Sequence, residues 1–502
     1  MKNQLPENLK GVHIHFVGIK GTGMAALVEI LFHAGAVITG SDVSERFYTD
    51  EILEKLGLKA LEFSENNITD DVQYVIYSSA YNLDKNPDLI AAVKKNVPCL
   101  LYTQALGNYS ERAFSCGICG VHGKTSTTGL TGTILKELDL PVQVLAGSII
   151  NSFGATCTYT SPLISKLEAG EKKYFVAETC EYQRHFMSFC PRKIILTSVE
   201  PDHQDYYPTY EDIREAFIDY ICKLPEGGDV IYCADDKGAV DTVTIVKTKR
   251  ADINYIPYGV KAEGEYKLTF GKVENERNCF SVKLFENSSN PEFALSIPGR
   301  HEVLDACAAT ALVCQLLRDK GLEPSSYAKQ IAQGLLNFTG GKRRSEIVGR
   351  LKSKSGNDVV VLDDYGHHPT AVKTTLEGFK EFYKGRKIIV DFMSHTYSRT
   401  QALLKEFASS FESADEVILH KIYSSAREKP EDFTITGKTL YEEVLKTGKD
   451  KNTVHYYEEI LDAKDFVMAE LEKTLDSKYP DGYLFVTMGA GDNWKLGKAI
   501  LG

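Results

Sequence analysis

The chain has 502 residues, 58 Lys and Arg against 69 Asp and Glu, a formal net charge of −11, and 43% hydrophobic residues. That balance is ordinary for a globular protein, and with no basic stripe to offset the negative charge it excludes a nucleic-acid partner. No stretch of 18 apolar residues occurs, so no membrane-spanning helix is expected. The polar segment Met1–Lys10 is unlike a secretory leader. The 11 cysteines are scattered and odd in number, which suits a reducing cytoplasm better than a disulfide framework. At about 100–200 residues per domain, roughly three domains are expected.

In chain order, Val12–Val17 reads as a strand, Gly18-Ile-Lys-Gly-Thr-Gly23 as a glycine turn, and Met24–Ala34 as a helix. Such a turn sets a pyrophosphate on the helix N-terminus. A second strand, Val37–Gly40, ends in Ser41-Asp42, an acid about 20 positions after the turn, where a ribose is ordinarily held. The strand Tyr74–Tyr77 delivers Ser78, Ser79 and Ala80 to the carboxyl edge of the same sheet. Alone, this first turn is also compatible with a nicotinamide dinucleotide or with a purely structural role.

The most telling segment is Gly120-Val-His-Gly-Lys-Thr-Ser126, which follows the apolar run Phe114–Cys119 and opens a helix to Leu138. Glycines let amides approach phosphate oxygens, Lys124 supplies a mobile cation, and the Thr125 hydroxyl is suited to magnesium. The strict P-loop glycine is replaced by Ile118, so this is a shortened variant. Cys116 and Cys119 match C-x-x-C, but they fall inside the strand and have no second pair, which favours core packing over redox or zinc chemistry.

Farther on, Tyr174–Glu178 and Lys193–Thr197 read as buried parallel strands, each ending in a metal-ligand candidate, Glu178 and, through Pro201-Asp202-His203, the His203 imidazole. Oxygen ligands favour magnesium at Thr125 and Glu178, and the imidazole hints at manganese tolerance. Residues 229–297 look polar and strand-like, and Glu302–Leu317 helical. Gly340-Gly341 is the expected hinge. Beyond it the pattern gives strands at Val359–Leu362, Lys387–Asp391, Glu416–His420 and Tyr483–Thr487, with helices from Pro369 and at Gln401–Glu412. Asp363-Asp-Tyr-Gly-His-His-Pro369 and Ser394–Thr400 follow successive strands and form the lip of another crevice. No Cys or His set with zinc spacing accompanies their histidines.

Taken in order, Gly18–Met24, Gly120–Thr125, Ala177-Glu-Thr-Cys-Glu181, Asp202-His203, Gly299-x-His301, Asp363–Thr370 and His395-x-Tyr-x-Arg-Thr400 resemble the Mur ligases of bacterial peptidoglycan synthesis. The resemblance spans nearly the whole chain and implies an α/β protein of three domains. These are a Rossmann-like UDP-sugar domain at 1–110, a central P-loop ATP domain at 111–343 and a Rossmann-like closing domain at 344–502. It implies ATP-driven amide formation between L-alanine and the carboxylate of UDP-N-acetylmuramate through an acyl phosphate, with a ligase of recycled tripeptides as the alternative. Gly18, Gly21, Thr22, Gly23 and Met24 would then hold the UDP diphosphate, with Ser41, Asp42, Ser79 and Asn86 around the nucleotide. Gly120, Val121, His122, Gly123, Lys124, Thr125 and Ser126 would bind ATP, helped by His301, Arg344 and Asp364. Thr125, Glu178 and His203 would hold Mg2+, and His368, His395 and Arg399 would line the amino-acid site. Lys124, Glu178 and His203 would carry the catalysis. A cytoplasmic monomer or homodimer is expected. Three departures stand out: Glu302 and Asp305 replace asparagines of the Gly-x-His-Asn-x-x-Asn motif, Ser198 replaces another asparagine, and Thr396 replaces a frequent basic residue.

Overall fold

A computed structural model describes residues 4–168, 170–284, 291–424 and 428–502. They form two compact units, one made of residues 1–268, 282–291 and 304–339, the other of 269–281, 292–303 and 340–502.

The first unit contains two parallel-rich sheets. Strands β1 (His13–Val17), β2 (Val37–Ser41), β3 (Tyr74–Tyr77) and β4 (Cys99–Leu101) run parallel in the order β2-β1-β3-β4. β1 is buried at all five positions, as an inner strand covered on both faces must be. The second sheet comprises β5 (Phe114–Cys119), β6 (Val142–Ile150), β7 (Thr156–Thr160), β8 (Tyr174–Glu178), β9 (Lys193–Leu196), β10 (Asp229–Cys233) and β11 (Asn254–Tyr258). Its order is β11-β10-β9-β5-β8-β6-β7, with only the β6–β7 pair antiparallel. β5 is therefore central, with β8 on one side and β9 on the other. The chain reverses its direction of travel across the sheet there, which is where an open α/β sheet opens a crevice at its carboxyl edge. Cys116 and Cys119 are fully buried in β5 and unpaired with each other, in keeping with core packing.

β12 (Leu268–Glu274), β13 (Arg277–Val282) and β14 (Glu292–Leu295) make a small separate sheet. The second unit is built on β15 (Glu346–Lys352), β16 (Asp358–Asp364), β17 (Arg386–Phe392), β18 (Glu416–Leu419), β19 (Val454–Tyr456) and β20 (Gly482–Met488). The order is β15-β16-β20-β17-β18-β19, parallel except for β15. Among the described residues no helix is long and apolar enough to cross a membrane.

Two local expectations fail. The strand-like region 229–297 contains the helix Lys237–Lys249, whose Val, Thr and Ile content favours strand by propensity. Asp236 overrides that tendency by capping the helix, accepting from the Ala239 amide at 2.7 Å. The expected helix at 401–412 is instead two short helices, Tyr397–Ala402 and Leu404–Ser409, broken at Leu403, whose φ of −117° is not helical.

Candidate active site

β5 ends in the loop Gly120–Gly123, and the helix Lys124–Glu137 starts directly from it. Gly120 (φ 137°) and Gly123 (φ 77°) occupy backbone conformations that L side chains rarely adopt. Space reinforces the choice: a Cβ on Gly120 would overlap Thr197 Oγ1, and one on Gly123 would sit 2.5 Å from Asp305 Oδ1. β9 buttresses the loop. Ser198 Oγ accepts from the His122 amide at 2.9 Å, the Ser198 carbonyl accepts from the Val121 amide at 3.1 Å, and the Thr197 hydroxyl donates to the His122 carbonyl. Lys124 folds back over this turn, donating to the Gly120 carbonyl at 2.5 Å and the Val121 carbonyl at 3.3 Å.

The two strands beside β5 add the acids. Glu178, closing β8, accepts from Thr125 Oγ1 at 2.9 Å and from the Gly147 amide at 2.7 Å through the same oxygen. A Cβ on Gly147 would lie 2.5 Å from that oxygen, so the glycine makes the approach possible. Three residues on, Glu181 is 1% exposed and receives Lys124 Nζ at 3.0 and 3.3 Å. Its other neighbour is His203 Nε2, 3.3 Å from Oε1. His203 has φ 55°, a left-handed conformation that is uncommon outside glycine and tends to persist at functional sites. Burial opposes a charge on Lys124, but Glu181 more than offsets it and holds the ammonium pKa above its usual value. Glu181 answers in kind: burial raises its pKa, yet Lys124 and His203 bring it below the ordinary carboxylate value. Thus Thr125 and Glu178 meet at the loop, while His203 connects to it through Glu181 and Lys124; a hydroxyl, a carboxylate and an imidazole are a donor set whose chemistry fits a hard divalent cation that also tolerates nitrogen.

At the other sheet of the same unit, Gly18 has φ 85°, and a Cβ there would meet Tyr81 Cε2 at 2.7 Å. Next to the turn lies a cavity of about 230 Å³ lined by Gly21, Thr22, Gly23, Met24, Ser78 and Ser79 on one side and Leu101, Tyr102, Thr103 and His185 on the other. Thr22 Oγ1 pairs with Tyr48 OH at 2.5 Å. Asp42 and Asn86 have structural duties. Asp42 accepts from the Lys20 amide at 2.7 Å and from Tyr81 OH at 3.1 Å, and Asn86 caps the helix Pro87–Lys94 through the Leu89 amide at 3.2 Å. Ser41, next to Asp42 in sequence, is fully buried.

In the second unit, the buried Asp364 closes β16 and accepts from the Ser345 and Gly366 amides, both at 2.8 Å. Burial raises its pKa, with the Arg344 charge working against the rise. Arg344 lies 5.4 Å from the Tyr365 ring centre. His368 precedes the helix Pro369–Phe382 and is buried. His395 follows β17. Burial, helped by the Arg399 charge, brings its pKa down to about 4, so it is neutral near pH 7. Arg399 is itself buried. His301 lies at the start of the helix Arg300–Asp319, with Nε2 3.7 Å from Glu302 Oε1.

Comparison with known proteins accounts for the whole pattern. The Mur ligase catalytic-domain model matches residues 13–113, the Mur ligase middle domain 118–313, and the Mur ligase glutamate-ligase domain 343–491. A UDP-N-acetylmuramate–L-alanine ligase of Treponema pallidum (strain Nichols) is 44% identical over 501 residues, covering 99% of this chain and 98% of that protein. The chain belongs to the Mur ligase family. A ligase of the same name from Borreliella burgdorferi is 35% identical over 490 residues, covering 96% of this chain and 97% of its own. The crystal structure of a UDP-N-acetylmuramate–alanine ligase from Thermotoga maritima has the same fold, with a TM-score of 0.73 at 24% identity over 97% of this chain and 98% of that one.

Within this Mur ligase, Ser198 is a departure with a visible role, because its hydroxyl anchors the phosphate loop at His122. Five residues escaped the sequence reading, Gly147 beside Glu178 among them. Tyr102, Thr103 and His185 line the amino-terminal cavity from segments that carry no phosphate-loop signature. Glu181 was quoted within Glu178-Thr-Cys-Glu181 but given no task; two acids three apart after one strand, with a metal role for only one, were the available signal.

Proposed function

We propose that the chain is the ATP-dependent ligase that joins L-alanine to the carboxylate of UDP-N-acetylmuramate in peptidoglycan precursor synthesis. The observation that carries the chemistry is the meeting of Lys124, Thr125 and Glu178 at one glycine loop, with His203 reached through Glu181. The whole-length relatives in Treponema and Borreliella support alanine over a recycled tripeptide as the acceptor.

The muramoyl carboxylate attacks the γ-phosphate in line, breaking its bond to the β-phosphate oxygen and releasing ADP, to give an acyl phosphate; the free amine of alanine then attacks that carbonyl, phosphate leaves, and the amine's proton passes to solvent. Phosphoryl transfer asks mainly for positioning and charge neutralisation. Lys124 takes up negative charge growing on the transferred group, and the loop amides hold the adjoining phosphates. Thr125, Glu178 and His203 would hold a magnesium ion, which when bound would add to the neutralisation of phosphate charge, and manganese would suit the same donors. The cavity beside Gly21–Met24, with Ser79, serves the UDP diphosphate, and Ser41, Asp42 and Asn86 shape the surrounding pocket. His301, Arg344 and Asp364 serve the ATP nucleoside and phosphates, while His368, the neutral His395 and Arg399 serve the amino acid. The enzyme works in the cytoplasm as a monomer or homodimer.

The deciding experiment is phosphate release from ATP with UDP-N-acetylmuramate, comparing L-alanine, glycine, serine and a muropeptide-type tripeptide. L-Alanine should give the highest kcat/KM. A preference for the tripeptide overturns the alanine assignment, and no release with any acceptor overturns the ligase assignment.

A further inference from the structure

Glu181 is a carboxylate at a place built to receive polyanions. It is almost fully buried. The Glu181 carbonyl accepts from Tyr207 OH at 2.6 Å and from the Arg184 amide at 2.8 Å. The chain turns sharply just after it, through Gln183 (φ 49°) and Arg184 (φ 57°), two consecutive non-glycine residues in the left-handed region. A buried carboxylate needs partners, and its two are residues to which the proposed function gives direct roles: Lys124, at 3.0 Å, and His203, at 3.3 Å. With Gly120 and Val121 carbonyls on its other side, the Lys124 ammonium is fully occupied by the protein. An ionised carboxylate can only accept, so His203 Nε2 is the donor in this contact, and a ring that binds a metal does so through Nδ1.

We infer that Glu181 is a positioning residue with two linked effects: it holds Lys124 back from the phosphate path until a nucleotide competes for it, and it fixes the His203 tautomer that presents Nδ1 as a metal ligand. The second effect is the carboxylate–histidine arrangement that commonly orients metal-binding imidazoles. The inference rests on the triphosphate reading of the Gly120 loop, and it predicts opposite changes on one substitution. Glu181→Gln keeps the volume and removes the charge that competes for Lys124.

The test uses purified full-length protein, with Glu181→Ala and Glu181→Asp as companions in case the Gln variant folds poorly. ADP affinity is measured by calorimetry in EDTA, and Mn2+ affinity by electron paramagnetic resonance without nucleotide. In Glu181→Gln, metal-free ADP should bind several-fold more tightly than in wild type while Mn2+ affinity falls about 10- to 100-fold, and an ADP affinity unchanged from wild type overturns the hold on Lys124. Loss of ADP affinity, unchanged Mn2+ affinity, or a joint loss with lowered Tm overturns the inference. Nitrogen-15 NMR of nucleotide-free wild type should find His203 protonated at Nε2, with that preference weakened in Glu181→Ala. An Nδ1–H tautomer, or indifference to Glu181→Ala, also overturns it. Wild type that fails to bind ADP would instead strike the triphosphate reading itself, and the NMR result would still speak to Glu181.

Discussion

The chain carries two glycine turns between a strand and a helix, at Gly18–Gly23 and Gly120–Gly123, and they are equipped differently. The first has a lysine, Lys20, but its ammonium is turned away, donating to the Val43 carbonyl at 2.9 Å and the Glu45 carbonyl at 2.8 Å. Its surroundings are mostly hydroxyls, those of Thr22, Tyr48, Ser78, Ser79 and Tyr102, with His185 on the cavity wall and the Asp42 carboxylate accepting from the Lys20 amide. The second keeps its lysine inside the loop and sets Thr125 against a carboxylate. A diphosphate that is only gripped calls for amides and hydroxyls, whereas a phosphoryl group that is transferred calls for cations placed where charge develops. Under the proposed function, the same backbone device would serve grip in one sheet and chemistry in the next.

That contrast can be broken most decisively at Lys124. Lys124→Ala should cost on the order of 3 kcal/mol of transition-state stabilisation, or 10²-fold or more in kcat, with the fold intact by circular dichroism. Near-normal phosphate release by this variant would erase the distinction between the turns. Next in size is Gly147→Ala, whose Cβ crowds Glu178 away from Thr125 with neither residue substituted. The magnesium concentration for half-maximal rate should rise about tenfold or more, as for loss of a ligand's support. An unmoved metal titration would remove Glu178 from the metal site.

At the first turn the expected signature is different. Thr22→Val should raise KM for the UDP-sugar several-fold and leave kcat nearly unchanged, since it removes binding shared by ground and transition states. A fall in kcat with constant KM would mean that this turn, too, takes part in chemistry. The smallest effect concerns His395. Its folded pKa of about 4 lies below the ordinary value of 6.5, so the fold favours the neutral ring. The stability it contributes is complete above pH 6.5 and is lost as pH falls from there toward 4. Urea denaturation at pH 7 and pH 5 should show a smaller loss of stability on acidification in His395→Gln than in wild type.

The alternating α/β plan and both glycine turns were legible in the sequence because unbroken apolar runs such as Phe114–Cys119 end at glycines whose only common use is a tight turn. The helix Lys237–Lys249 was not, because its β-branched composition points one way and its Asp236 cap with tertiary packing points the other. Among site residues, those inside a contiguous motif were readable. Gly147 and His185 were not, since each matters only through a neighbour distant in sequence: Glu178 in one case, the turn at Gly21 in the other. Asp42 shows the reverse, a residue suggested by its spacing that the fold also uses to pin its own turn.

The Glu181–Lys124 contact also bears on how a nucleotide first arrives. A bare lysine in a glycine loop would act as a beacon for a tetra-anion, but here its field is cancelled within 3.0 Å by a buried opposite charge. With −11 on the chain as a whole, the far field repels ATP rather than drawing it in. If the loop takes the triphosphate, capture would depend on short-range exchange of one anion for another at the ammonium, and dilute buffer, by lengthening the reach of the repulsion, would slow the encounter instead of hastening it.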